Sequence, residues 1–348
     1  MPADRLLHGA LFLRPAPWAL AAFLWPLAML AQPAPAASTA ARVGLDPAGW
    51  VERIRQAASQ RNYVGTLVFA AGDVVSSSRV ARVGSGDQVL ERVEALDGRQ
   101  QRSIRQNDRV HTIWPDQRLV TVERRTAGDE SAGLPELDPR LQQHYELRML
   151  GAGRMAGRDA SVLLLKPRDE WRFAQRLWAD QATGLLLRAD VLSGSGQVLE
   201  SSGFSDIEID PRLAREPLLN PLKRLEGFRV VHVSTESTTL ESEGWVVERL
   251  PAGFRLQGCV RRPVGDPGSE ASTPAPRALQ AVFSDGLARV SIFIEAADPQ
   301  RPRQALLTHL GATHTLMKAR DNRWWVTVMG DVPAATLEQF RQALERQR

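Results

Sequence analysis

Alternation of apolar and polar residues in short segments, separated by turn signals, is the feature that most constrains how this 348-residue chain can fold. Residues 63–69, 109–114 and 290–294 are examples, and pairs such as Asp97-Gly98 supply the turns. Alternation with a period of two predicts strands with one buried face, and short turns favour antiparallel neighbours. We therefore predict a mainly β (α+β) protein, in which a long antiparallel meander is accompanied by few helices.

Two helices are predicted at the ends of this β-rich region. Asp46 is a typical helix cap, Pro47 suits a first helical turn, and the apolar residues Trp50 and Ile54 follow on one face. A last helix is predicted to begin at Pro333. We expect the apolar face of each helix to pack against a sheet.

The first residues have the layout of a secretory signal peptide, which we assign to residues 1–37. Basic residues precede an apolar core at residues 18–30, and small residues follow it. That core is shorter than the roughly 20 apolar residues that a membrane-spanning helix needs. We expect cleavage between Ala31 and Ser38 and a soluble mature protein in the periplasm, with an uncleaved N-terminal anchor as the alternative.

Three prolines within residues 211–226 interrupt the strand pattern. Because proline cannot donate to the hydrogen-bond ladder of a sheet, this stretch is a poor candidate for a central strand. We therefore predict a large domain at residues 46–210, a linker at residues 211–226 and a smaller domain at residues 227–346.

Four local predictions complete the outline. We expect a short helix at residues 139–147, a strand at residues 171–178, and a strand at residues 229–233 that opens the smaller domain. Residues 263–276 are rich in glycine, proline, serine and glutamate, so we predict a mobile loop there, whose role the sequence does not define.

The residues needed for catalysis or metal binding do not form a recognisable set. Cys259 is the single cysteine, so neither an intramolecular disulfide nor a thiolate cage can form, and His309 and His314 have no carboxylate motif beside them. Asp97 and Asp285 precede glycines and are expected to act as turn residues. We predict no enzyme activity, no cofactor and no metal, and hence a protein that works by binding. Since the leader would export the chain, nucleic acid is not an expected partner.

An aromatic strand face is one candidate binding site. In the predicted strand at 171–178, alternation places Trp171, Phe173 and Leu177 on one face. These side chains could line an apolar cavity for lipid acyl chains, and ordinary core packing is the alternative.

An arginine-rich segment is the second candidate. Arg99, Arg102, Arg105 and Arg109 fall within eleven residues and could form an anion-binding patch. The alternative is a solvated hairpin face.

Several longer runs resemble the MucB/RseB family, whose members are periplasmic regulators of the envelope-stress sigma factor. In the first half these runs are residues 91–98, 110–116 and 176–187. In the second half, Leu-Pro-Ala-Gly-Phe at 250–254 is followed by Ser-Asp-Gly-Leu at 284–287. The pair of motifs in the second half, in this order, makes the resemblance specific.

The resemblance implies both a fold and a function. The large domain would be similar to the lipoprotein carriers LolA and LolB, an incomplete antiparallel β-barrel covered by helices around an apolar cavity. The smaller domain would be an antiparallel sheet with a helix. The family binds the periplasmic segment of a membrane-spanning anti-sigma factor, shields it from regulated proteolysis and so restrains the envelope stress response. Lipid-type or lipopolysaccharide signals would relieve the shielding.

The resemblance does not identify the contact residues. No anti-sigma contact can be carried over to a position of this chain, and an oligomer is possible. A periplasmic lipid or lipoprotein carrier, which would bind acyl chains in the same cavity, is the alternative function.

Overall fold

Strands dominate the computed structural model, which describes residues 46–84, 88–124, 137–264, 277–297 and 305–347. The predicted signal peptide at 1–37 and residues 265–276 of the predicted loop lie outside the described residues. The strands form a larger sheet, a smaller sheet and a two-stranded ribbon.

The larger sheet contains the first twelve strands. They are β1 (Tyr63–Ala71), β2 (Val74–Val83), β3 (Leu90–Ala95), β4 (Arg102–Gln106), β5 (Arg109–Trp114), β6 (Leu119–Arg124), β7 (Tyr145–Met155), β8 (Arg158–Pro167), β9 (Ala174–Asp180), β10 (Leu186–Leu192), β11 (Val198–Ile209) and β12 (Arg229–His232). Their order is β12-β6-β5-β4-β3-β2-β1-β11-β10-β9-β8-β7, and every pair is antiparallel except β12 with β6. Since β7 and β12 lie at opposite ends of this order, the sheet is open.

Nine further strands follow in the chain. They are β13 (Glu236–Ser237), β14 (Trp245–Val247), β15 (Arg255–Pro263), β16 (Arg277–Ser284), β17 (Arg289–Ala296), β18 (Leu306–Leu310), β19 (Thr313–Arg320), β20 (Trp324–Gly330) and β21 (Leu344–Arg346). The smaller sheet has the order β13-β15-β16-β17-β20-β19-β18, and β14 pairs with β21. The predicted mainly β fold, with a large sheet and a separate smaller one, is confirmed.

Helices cover these sheets where the sequence predicts apolar helix faces. Helix α1 (Pro47–Gln60) begins after Asp46, whose side chain accepts a hydrogen bond of 2.7 Å from the backbone N–H of Gly49. Trp50, Val51 and Ile54 of α1 are buried in a core with residues of β7–β10. Helix α3 (Ala334–Ala343) follows Pro333 and packs against the smaller sheet, where its Leu337 and Phe340 are buried. Both predicted helices are therefore confirmed.

The stretch predicted as a linker is folded onto the larger sheet. Helix α2 (Glu216–Leu219) and a 3₁₀ turn at Asn220–Lys223 follow one another there. Leu213, Leu219, Leu222, Leu225 and Phe228 pack against a core formed by β2–β6. The prolines interrupt the strand pattern as expected, but the leucines between them fix the segment to the sheet.

Three local expectations differ from the structure. Residues 139–147 form only a 3₁₀ turn at Pro139–Gln143, after which the chain enters β7. Residues 229–232 join the larger sheet through parallel pairing with β6 and do not open the smaller one.

The third difference is that β9 begins at Ala174, so the strand expected from Trp171 is wrong at its start. The backbone bends at Trp171 because its N–H donates to the Asp169 carboxylate at 3.1 Å, and the next side chain turns toward the smaller sheet.

Candidate functional site

A buried ion pair joins the two sheets just before β9. Arg172 Nη1 lies 3.3 Å from Asp285 Oδ2, and both side chains are fully buried. Arg172 Nη2 donates to the carbonyl of Ala252 at 2.6 Å, and its Nε faces Asp169 at 3.3 Å. We call the group Tyr145, Arg172, Phe254 and Asp285 the buried seam. One side of the seam comes from the larger sheet and the other from the smaller one.

The remaining contacts of the seam surround its carboxylate with donors, whereas Arg172 Nε and Nη1 are buried and face carboxylates at ion-pair distance without a hydrogen bond. The hydroxyl of Tyr145 donates to Asp285 Oδ2 at 3.0 Å, and Asp285 Oδ1 accepts from the backbone N–H groups of Leu287 and Ala288. The Arg172 guanidinium lies over the rings of Tyr145 and Phe254, at 5.7 and 5.1 Å. Burial, followed by the negative charge of Asp285, raises the pKa of Tyr145 well above its usual range, so the hydroxyl remains a donor. The seam therefore fixes how the two sheets meet.

Asp285 has the predicted turn role and a second role that local sequence does not reveal. Its acceptance from Leu287 and Ala288 is the hydrogen bonding expected of an aspartate before glycine. The ion pair with Arg172 joins residues that are far apart in the chain, and no motif links them. Leu287, in the same turn, is buried in the core beneath α1, so the two sheets share apolar packing as well.

The predicted lipid-lining residues lie in two different places. The carbonyl of Trp171 accepts a hydrogen bond of 2.9 Å from the Thr336 hydroxyl, and the Phe173 ring lies 6.0 Å from the ring of His314. Trp171 thus contacts helix α3, and Phe173 contacts β19 of the smaller sheet. Leu177 is fully buried in the core beneath α1. A lipid-lining role for these residues stays a prediction.

The four arginines of the predicted anion patch do not converge. Arg99 and Arg109 are exposed at turns, whereas Arg102 pairs with Glu94 and Arg105 lies 3.8 Å from Glu91. Arg102 and Arg105 are three residues apart on β4, so their side chains leave on opposite faces. Their role as one anion patch stays a prediction.

An open cleft of about 350 Å³ lies between the residues after β11 and strands β3–β5. We call it the linker cleft. It combines cationic and apolar lining residues, among them Arg92, Arg102, Arg224, Ile113, Leu225 and Phe228. Such a lining suits an amphipathic anion. No local sequence pattern indicates this cleft, because its walls come from segments far apart in the chain.

A second contact between the sheets is made by three hairpin ends. A Cβ added to Gly311, in the β18–β19 turn, would lie 2.7 Å from Ala71 Cβ at the end of β1 and 3.0 Å from the carbonyl oxygen of Leu199 in β11. We call this meeting of Ala71, Leu199 and Gly311 the hairpin junction. Strands that lead into these turns carry exposed apolar side chains, namely Val74, Val75, Val198, Leu306, Leu307 and Leu310.

The described residues provide little evidence for a membrane-spanning helix, a metal site or a reactive thiol. In those residues, no helix is both long and apolar enough to cross a bilayer, and no three metal-ligating side chains come together. The rings of His309 and His314 lie 5.5 Å apart without further ligands of this kind. Burial raises the pKa of the Cys259 thiol to about 11, so it is not a thiolate nucleophile at neutral pH.

Family comparisons match both halves of the chain. The MucB/RseB N-terminal domain model matches residues 46–222, and the MucB/RseB C-terminal domain model matches residues 239–345. The sigma factor AlgU regulatory protein MucB of Pseudomonas aeruginosa is 32% identical over 300 residues, which cover 84% of this chain and 89% of that protein. The sigma-E factor regulatory protein RseB of Escherichia coli K12 is 22% identical over 296 residues, with coverage of 85% and 89%.

Solved structures agree. A chain in the complex structure of Pseudomonas aeruginosa MucA/MucB superposes with a TM-score of 0.67 at 27% identity, covering 87% of this chain and 100% of that one. MucB in complex with MucA(peri) gives a TM-score of 0.65 at the same identity and coverage. These relatives are regulatory proteins, so the expectation that the protein is not an enzyme is confirmed. The chain belongs to the MucB/RseB family of sigma-factor regulatory proteins.

Proposed function

We propose that this protein binds the periplasmic segment of a membrane-spanning anti-sigma factor and shields it from regulated proteolysis. It would thereby restrain the envelope stress response. The observation that carries the proposal is the similarity of both sheets to MucB as crystallised with MucA(peri). Because the similarity covers 87% of this chain, it includes the surfaces of both sheets and not of one alone.

Shielding follows from mass action. A segment held in a complex is cleaved only when it is released, and at a protein concentration about 100 times the Kd only about 1% of the segment is free. The buried seam supports this role, since it joins the two sheets in the free protein and so fixes their surfaces relative to each other. Binding to a preformed surface costs less ordering free energy than binding that must assemble it.

Relief by a lipid-type signal is part of the proposal. The linker cleft supports it, because arginines beside apolar walls suit an amphipathic anion. Such a ligand weakens partner binding only if it has different affinities for the partner-free and partner-bound forms, and the coupling must be reciprocal. The same cleft is the observation that favours the second candidate function, a periplasmic lipid or lipoprotein carrier.

The proposal places the mature protein in the periplasm after cleavage between Ala31 and Ser38. The order of basic, apolar and small residues in the leader supports export. N-terminal sequencing of protein recovered from the periplasm should begin within that window, and a sequence that begins at Met1 would contradict cleavage.

The decisive experiment uses the purified mature protein, the cognate anti-sigma periplasmic segment and the protease that makes the first cut. Cleavage should slow as the protein is added and recover when an amphipathic lipid is included. Unchanged cleavage at micromolar protein would contradict shielding. If the protein then transfers lipid to acceptor vesicles, the carrier function replaces the regulatory one.

A further inference from the structure

Strand β18 is an exposed strand at the edge of the smaller sheet. All five of its residues are exposed, and it pairs with β19 on one side only among the described strands. Leu306, Leu307 and Leu310 are 52%, 54% and 47% exposed. An edge of this kind leaves backbone N–H and C=O groups open to pairing with another chain.

The other edges of the larger and smaller sheets, among the described strands, are protected in ways that β18 is not. Strand β7 contains an irregularity between Met149 and Gly151 and carries the charged side chains of Glu146, Arg148 and Arg154. Strand β12 is four residues long and β13 only two. Bulges, charges and short length are the devices by which proteins prevent unwanted edge pairing. Strand β18 contains no charged residue, no proline and no bulge.

The geometry of the β18–β19 hairpin identifies the backbone groups of β18 that are not paired with β19. Leu310 pairs with Thr313 across a two-residue turn, in which Gly311 has a φ of +57°. Residues that flank such a turn exchange hydrogen bonds with each other, and the pattern then alternates along the strand. Leu307 and His309 therefore direct their N–H and C=O groups away from β19.

We propose that β18 is the edge to which an extended segment of the anti-sigma partner adds as a further strand. This inference rests on the proposed function and specifies where and how the partner is held. Backbone hydrogen bonds to Leu307 and His309 supply affinity that is independent of sequence, whereas Leu306 and Leu310 select apolar side chains at alternate positions of the segment. Beyond Leu310 the segment reaches the hairpin junction, where Val74 and Val198 are exposed.

The size of the edge favours an extended segment over a second copy of this chain. A strand of five residues is about 17 Å long. Pairing two such edges alone falls well short of the roughly 1,200 Å² that a stable interface between folded proteins buries. An extended segment has no such shape restriction, because it can follow β18 and continue over the valines of the hairpin junction.

Strand addition also gives shielding a physical basis. A segment whose backbone groups are paired with a sheet edge cannot at the same time offer those groups to a protease that binds its substrate in extended form. The segment is protected over the stretch that is paired, and protection ends when the strand detaches.

The test compares the mature protein with the double variant Leu306→Lys/Leu310→Lys, since lysine on an edge strand opposes pairing. Leu150→Lys, on the protected edge β7, is the matched control because Leu150 is 52% exposed. We expect the double variant to bind the cognate anti-sigma segment roughly tenfold or more weakly in a fluorescence titration, and the control to bind within about twofold of the unmodified protein. Thermal melting of all three proteins verifies that each is folded.

Hydrogen exchange supplies a backbone readout that a side-chain contact alone would not change. In the complex, the amides of Leu307 and His309 should exchange more slowly than in the free protein. If the unmodified protein fails to bind the segment, the proposed function is wrong. If it binds and the double variant binds equally well, the function stands and the assignment to β18 is overturned. A dimer that the double variant abolishes, with unchanged segment binding, would make β18 an interface between copies and also overturn the assignment.

Discussion

The buried seam and the hairpin junction both join the two sheets, but they do so with opposite chemistry. At the seam, a fully buried arginine and aspartate form an ion pair, to which a tyrosine hydroxyl and backbone groups add hydrogen bonds. At the junction, a glycine turn lies on the backbone and a methyl group of the larger sheet, and the strands that lead into these turns carry exposed valines and leucines. The first contact is polar and buried, and the second is an apolar contact between turns whose strands carry exposed apolar side chains.

This difference separates a contact that holds the fold from a surface that is available to a partner. Buried ion pairs are costly to break, because removal of one partner leaves the other charge desolvated. Exposed apolar strand ends contribute little to the fold, and a clustered set of them marks an interaction surface. Mutations at the two contacts should therefore differ in what they change.

The largest effect is expected for Arg172→Met, which keeps most of the side-chain volume and removes the charge. Asp285 would then be buried without its ion-pair partner, which costs about 3–5 kcal/mol of the free energy of unfolding. Urea denaturation measures the loss. The control Arg140→Met removes a surface ion pair with Asp138, for which we expect a much smaller loss because water screens it. Equal losses in the two variants would show that the seam does not hold the sheets.

A smaller effect is expected at the hairpin junction for Gly311→Ala. Gly311 and Gly72 both have a φ of +57° in two-residue turns, so alanine costs similar backbone strain at either site. Only at Gly311 would the new Cβ lie within 3 Å of another Cβ, that of Ala71, whereas Gly72 has nothing within 4 Å. We expect Gly311→Ala to lose roughly 1–3 kcal/mol more than Gly72→Ala in urea denaturation. Equal losses would mean that the turn contact is not maintained in solution.

Within the seam, Tyr145→Phe isolates one hydrogen bond. It removes the donor to Asp285 but leaves the ion pair, so we expect a loss of about 1–2 kcal/mol in the same assay. Tyr63→Phe is the matched control, since Tyr63 is also buried and its hydroxyl has no hydrogen bond to the residues that the structure describes. If Tyr145→Phe loses no more free energy of unfolding than Tyr63→Phe, the ion pair alone accounts for the stability that the seam provides.

Sequence patterns predict where the helices and strands of this fold lie better than they predict which elements pair or pack together. The helix after Asp46 and the last helix after Pro333 follow from capping and apolar periodicity, which act over a few residues. Strand β7 does not follow from the sequence pattern, because it is an edge strand in which charged residues and Gly151 replace the alternation of a half-buried strand. The expectation that residues 229–233 open the smaller domain is wrong, since a pattern of apolar residues does not identify the neighbouring strand.

The seam could not be predicted for the same reason. Arg172 and Asp285 each have an ordinary local explanation, a strand position and a turn position, and only the packing of two sheets brings them together. The family resemblance carried information that local patterns lack, because its motifs at 250–254 and 284–287 contain Ala252 and Asp285, both of which contact Arg172.

The smallest predicted effect is the pH dependence of the seam, through His144. Its ring lies against the backbone of Gly253, and burial, followed by the positive charge of Arg172, lowers its pKa below the usual value of 6.5, although Asp285 and Asp169 act in the opposite direction. Above pH 6.5 the ring is neutral in both the folded and unfolded states. As the pH falls below 6.5, the unfolded chain takes up the proton first, so the free energy of unfolding should fall until the pH passes the folded-state pKa.

Carboxylates titrate mainly below this pH range, so the change in stability within it comes mainly from histidines. Burial also lowers the pKa of His111, which therefore acts in the same direction. Urea denaturation at pH 7.5 and 5.5 should therefore show a smaller decrease for His144→Gln than for the unmodified protein, and a smaller one still for His144→Gln/His111→Gln. A free energy of unfolding that rises from pH 7.5 to pH 5.5, or a decrease that His144→Gln leaves unchanged, would show that burial beside the seam does not lower the pKa of His144.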